Sequence, residues 1–197
     1  INILTNNTLT PKTKSKKQIE PYQIDINLNF IDINPIINLL EPRATISKNT
    51  IIEGAFYQTP ENTVFNFFSS IDTVYYNGNL LYNTNLDFNT SKLNEADDVL
   101  ASLYLFSKKQ ELSSGLTFNN LALEAIWDGS SIDLSYEQDQ LGTGSYVRVK
   151  NDITLFKDHT SIVFQPSDLK ILDKLWRFDS DNEIIVGWRQ YLALGLF

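Results

Sequence analysis

The chain has 197 residues, 42% hydrophobic and 20% charged, enough apolar material for one sizeable domain or a stretch of a longer sheet. With 24 Asp and Glu against 16 Lys and Arg, its net charge is −8, the wrong sign for displacing the counterions of a nucleic acid. There is no cysteine and only 1 histidine, which excludes a disulfide framework and argues against zinc or copper sites.

Residues 1–21, rich in Asn, Thr and Lys and holding Pro11 and Pro21, read as a polar loop or linker. The basic run Lys12-Thr-Lys-Ser-Lys-Lys17 falls inside it and reads as solvated chain. Strand material begins at Tyr22, with Ile24, Ile26, Leu28 and Phe30 alternating with polar residues. In Asp32–Pro42, Asn34 is placed to cap a short helix, Pro35 to occupy its first position and Pro42 to stop it. Such a helix is expected to drop Ile36, Ile37, Leu39 and Leu40 onto the end of a sheet.

Strands are then expected at 43–48, 50–58, 63–69, 71–76, 79–89, 98–107, 115–126, 131–137, 145–156, 160–165, 168–173, 175–179, 183–188 and 190–196. Asn77-Gly78 between two of them is a two-residue hairpin signal, because both residues tolerate positive φ. Residues 91–110 fit either a helix, from the acidic start and the late Lys108-Lys109, or a loop running into a strand; the alternation of Val99, Ala101, Leu103 and Leu105 favours the strand. Residues 79–89 show the pattern best: Leu80, Tyr82, Thr84, Leu86 and Phe88 share one parity, and five Asn or Asp take the other. No apolar run approaches the ~18 residues that cross a bilayer. The chain starts at Ile1 and contains no Met, which reads as a piece of a longer protein. The fold class expected is therefore all-β, an extended antiparallel meander.

No arrangement of residues carries catalytic chemistry, and an enzyme is not expected. His159 follows Asp158 at a turn with no Gly-x-Ser-x-Gly element anywhere. Asp179-Ser-Asp-Asn-Glu183 lacks the glycine and the distal glutamate of a calcium loop. What remains is the apolar parity of the strands. It covers either a second sheet, giving a closed β-sandwich that serves as an adhesion or binding module of the cell envelope, or a ligand.

The last third carries a resemblance. Thr154-Leu-Phe-Lys-Asp-His-Thr-Ser-Ile-Val-Phe-Gln-Pro-Ser-Asp-Leu-Lys-Ile171, then Leu175-Trp-Arg-Phe178 and Asp181-Asn-Glu-Ile-Ile-Val186, resembles the TamB-type translocation and assembly module proteins in their Bacteroidetes versions. Phe30-Ile-Asp-Ile-Asn-Pro-Ile-Ile-Asn-Leu-Leu40 is similar to the linker before a strand that opens with a glycine, here at Glu53-Gly54, and Leu121–Ile132 to the unit of alternating strand, Trp and turn. The resemblance spans residues 22–197 and implies a sheet curled into an open U-shaped trough, a β-taco, in the periplasm. It implies an inner-membrane anchor outside this chain, pairing with other segments of the same long chain, and an Omp85-type outer-membrane barrel as partner. The function implied is lipid transport in outer-membrane biogenesis, with phospholipid acyl chains shielded in the trough and no cofactor. On that reading the groove is lined by Ile26, Leu28, Leu80, Tyr82, Leu86, Phe88, Leu121, Leu123, Trp127, Ile132, Leu134, Ile153 and Leu155.

Overall fold

The structure, a computed structural model, describes residues 20–95, 98–187 and 192–195; residues 1–19 of the expected linker lie outside them. The strands are β1 (Tyr22–Phe30), β2 (Ala44–Ile46), β3 (Thr50–Gln58), β4 (Asn62–Tyr76), β5 (Asn79–Leu93), β6 (Val99–Glu111), β7 (Thr117–Asp128), β8 (Ser131–Gln140), β9 (Tyr146–Leu155), β10 (His159–Phe164), β11 (Ser167–Ile171), β12 (Lys174–Phe178), β13 (Glu183–Gly187) and β14 (Leu192–Gly195), with one helix, α1 (Asn34–Leu40). All belong to one 14-stranded sheet in the order β1-β3-β4-β5-β6-β7-β8-β9-β10-β13-β14, flanked by β2 on β4 and by β11 and β12 beside β9. Every pairing is antiparallel, and the first and last strands of the path do not meet, so the sheet is open. The all-β open meander is therefore the architecture. A closed sandwich is not: among the described residues the only apolar side chain in a core is Ala55, 7% exposed. Large apolar groups sit on a single layer, and no described residue is stacked upon them.

Sequential strands pair because each turn is short and supplies its own geometry. Asn77 and Gly78 have φ of 49° and 87°, the left-handed pair that matches strand twist in a two-residue hairpin. Two of the expected strands, 63–69 and 71–76, are one: β4 runs 15 residues, paired with the equally long β5 over its whole length. At about 3.3 Å per residue each spans ~50 Å.

Helix α1 forms where expected but differs in how it is held. Asn34 is inside the helix rather than at its cap, and its side-chain amide clamps β2: Nδ2 donates to Ile46 O at 2.9 Å and Oδ1 accepts from Ile46 N–H at 2.8 Å. Ile36, Leu39 and Leu40 are 61%, 82% and 80% exposed rather than packed on the sheet end, because the clamp fastens the helix to the short strand β2. Gly54, expected to open a strand, lies in the middle of β3.

One transverse line interrupts the sheet. Asp72, Asn83, Lys108 and Asn120 stand abreast on β4, β5, β6 and β7, and the ladder skips all four while staying in register on both sides. Asn83 and Asn120 have φ of 49° and 55°, a conformation that asparagine adopts more readily than other side chains. On β7 the line coincides with a register shift against β8 between Asn119 and Ala122.

Candidate functional site: one apolar face

Directly opposed residues of an antiparallel ladder project to the same face. The register therefore traces each face across the sheet. One row runs Ile24–Phe56–Phe65–Thr90–Ala101–Trp127–Ile132–Ile153–Ile162–Ile184. The next runs Ile26–Gly54–Phe67–Phe88–Leu103–Ala125–Leu134–Asn151–Phe164, and a third Leu28–Ile52–Ser69–Leu86–Leu105–Leu123–Tyr136–Val149. The rings of Phe65, Phe67 and Phe88 meet across the first two rows, with centroids 5.5–6.4 Å apart. The opposite face is mixed: it carries Asp25, Asn27, Glu53, Asn66, Asn85, Asp87, Asn89, Glu124, Asp133 and Lys150 together with the exposed Ile51, Phe68, Tyr104 and Ile126.

Among the described residues nothing covers the apolar face. Ile24, Leu28 and Trp127 are 52%, 46% and 48% exposed, Ser69 is buried, and the rest of the rows are half-buried by their neighbours alone. Shallow hollows open on it: one of about 490 Å³ between Phe88, Val99, Ala101 and Trp127, and one of about 590 Å³ between Leu169, Ile171, Trp176 and Phe178.

Of the residues expected to line a groove, Ile26, Leu28, Leu86, Phe88, Leu121, Leu123, Trp127, Ile132, Leu134, Ile153 and Leu155 share this face. Leu80 and Tyr82 do not, although their parity matches that of Leu86. Tyr82 Oη donates to Glu111 at 2.9 Å, Lys109 pairs with Glu111 at 2.6 Å, and Lys109 lies over the Tyr82 ring, so these residues share the polar side. The left-handed turn of Asn83 exchanges the faces, and Leu81, Gln110 and Phe118 take over the apolar side beyond it. Phe56, Phe65, Phe67, Leu103, Leu105 and Phe164 were missing from the expected set. Parity within a strand was visible for each, but phase between strands depends on the register at every turn.

Gln110 shows the exchange from the other side. Its Nε2 donates to Ser107 O at 2.7 Å and its Oε1 accepts from Gln138 Nε2 at 3.1 Å, while Gln138 Oε1 accepts from Tyr136 Oη at 2.6 Å. Tyr136 stands opposite Leu123 on the apolar face, and burial there pushes its phenol above its ordinary pKa. On the polar face, Arg148 holds Asp139 at 2.5 Å and Glu137 at 3.2 Å. Hydrogen bonds from Asn120 and Arg148 keep Asp139 below the usual carboxylate range.

Among the described residues no group of His, Asp and Glu is arranged to hold a metal ion, and no helix is long and apolar enough to cross a membrane. His159 opens β10, with Nδ1 2.8 Å from Asp158 and its ring stacked on Phe156. Asp179–Asn182 folds as a turn, with Asn182 N–H donating to Asp179 O at 3.0 Å. Comparison with protein-family models, with curated proteins and with solved structures finds no match.

Proposed function

We propose that this chain is a segment of a lipid-shielding conduit of the bacterial envelope, with acyl chains lying on the apolar face. One observation carries the reading: a face that is apolar over three consecutive rows, which together cross the 8 strands from β1 to β9 along the path, and that no second layer covers among the described residues. Neighbouring strands lie about 4.8 Å apart, so such a face is ~35 Å long across the strands. Each CH₂ withdrawn from water onto it contributes about 0.8 kcal/mol. Shielding hydrocarbon in this way needs no catalytic group and no cofactor. On this reading the chain works in the periplasm, beside further segments of its parent chain and with an Omp85-type outer-membrane barrel as partner.

The test is photo-crosslinking in the presence of phospholipid vesicles. A photoreactive residue at Leu86 or Leu123 is expected to capture lipid through its acyl chain, while one at Asn85 or Glu124, on the opposite face, captures none. Equal capture on both faces, or none on either, defeats the proposal.

A further inference from the structure

The apolar face has a polar margin. Where its rows approach the transverse line, the side chains become Thr84, Ser107, Gln110, Tyr136 and Gln138. Hydrogen bonds join the last four into a single chain, from Tyr136 Oη to Gln138, from Gln138 to Gln110, and from Gln110 to the carbonyl of Ser107. Gln110 is 2% exposed and Ser107 0%, so this end of the chain is locked, whereas Gln138 and Tyr136 are half-buried and reachable. Once hydrocarbon covers the rows and excludes water, the polar side chains fixed at their margin need a partner of matching chemistry, since leaving their donors dry is unfavourable.

We infer that this margin holds the acyl-ester linkage of a lipid whose chains lie on the Leu86–Leu105–Leu123 row, an inference that rests on the shielding function proposed above. The direction of the hydrogen bonds selects an acceptor. Tyr136 gives its proton to Gln138 Oε1, and Gln138 spends one N–H on Gln110. A primary amide has two N–H donors, so Gln138 keeps one for a ligand, and an ester carbonyl can only accept. Gln110 acts through Gln138 and is a positioning residue. The placement fits the geometry of a lipid: Gln138 lies two residues along β8 from Tyr136, which faces Leu123, a step of about 7 Å from the apolar row. A phosphate would find no cation at this margin, because its side chains are neutral and the adjacent Lys109 is on the other face, paired with Glu111.

The experiment compares two phosphatidylcholines of the same chain length, one diester and one diether, as vesicles offered to the full chain with a photoreactive residue at Leu123. The diether lacks only the carbonyls. The diester is expected to be captured about five-fold better, and Gln138→Leu is expected to lower diester capture to the diether level. Equal capture of the two lipids by the otherwise unaltered chain overturns the margin as an ester site while leaving the shielding function standing. A preference that survives Gln138→Leu overturns the assignment to Gln138. No adduct from either lipid defeats the shielding function itself, and the ester site with it. The diester-to-diether ratio of the chain with Gln138 intact needs no second substitution, so the first two readings hold even if Gln138→Leu fails to fold.

Discussion

A Cβ built on Gly54 would collide with the carbonyl oxygen of Asn66 and sit 3.1 Å from the Cα of Phe67. The strands approach closely there, and Ala55 N–H bonds the Asn66 side chain at 2.9 Å. Alanine adopts extended backbone freely, so the cost of Gly54→Ala is steric, and overpacking of this kind costs about 1–3 kcal/mol. Urea denaturation is expected to show that loss with an unchanged slope. At Glu41 the effect is electrostatic. Hydrogen bonds from the Arg43 side chain and backbone hold its carboxyl down at about 2. A carboxylate with a depressed pKa supports the fold above its unfolded value, and the support fades as pH falls from about 4.5 through about 2. The pair is exposed, so the effect on stability is small. The titration itself is the measurement: the Glu41 side-chain NMR signal is expected to titrate near pH 2 and to return toward 4.5 in Arg43→Ala.

The transverse line through Asp72, Asn83, Lys108 and Asn120 governs the elements it crosses. It lets the strands present apolar side chains to one face along most of their length and turns the same parity to the opposite face beyond it, where β6 carries Lys109 and Glu111. Two of its members hold left-handed backbone, which a β-branched residue resists by roughly 1–2 kcal/mol. Asn83→Val and Asn120→Val are each expected to lower stability by about that amount, whereas Asn83→Gly and Asn120→Gly are expected to be near neutral. Denaturant midpoints of the four variants check this. A Val variant as stable as the Gly variant would show that the line does not depend on that conformation. The small residues beside the line, Thr84 and Ser107, are 2% and 0% exposed, so no larger side chain fits there without displacing the ladder.

For the whole molecule, the consequence of a single layer is that its apolar side chains are not a core. Leu123→Arg in a closed sandwich would leave a charge buried, at a cost beyond about 4 kcal/mol and with loss of the protein. Here the guanidinium can reach water while its stem lies along the row. A stability change under ~1 kcal/mol is expected by thermal melting, together with loss of lipid capture at Leu86. Disappearance of folded protein would mean that something in the chain covers this face. An exposed apolar surface of this extent also predicts self-association. Sedimentation should show oligomers that grow with concentration and dissolve on adding vesicles or mild detergent. The edge at β1, unpaired among the described residues, with Asp25 its only charge and no proline or bulge within it, adds to that tendency.

Alternation with period two is a local property of backbone geometry, so residues 79–89 and their counterparts disclosed an all-β chain, its hairpins and the apolar parity of each strand without any tertiary information. The helix at Asn34–Leu40 was equally legible from its Asn, Pro and closing Pro. The exchange of faces left only a trace: apolar parity passes from Phe65, Phe67 and Ile71 to Val74 and Tyr76, and two lysines stand side by side at 108 and 109. Asn83 itself sat where a polar residue was due, so nothing marked its backbone as left-handed, and Leu80 and Tyr82 were read onto the wrong side. Whether the apolar parity meets a second sheet or remains open was likewise undecidable locally, because alternation looks the same in both cases. Only the tertiary structure settles it, through ladders that fix the register from strand to strand and leave the first and last strands of the path unpaired with each other.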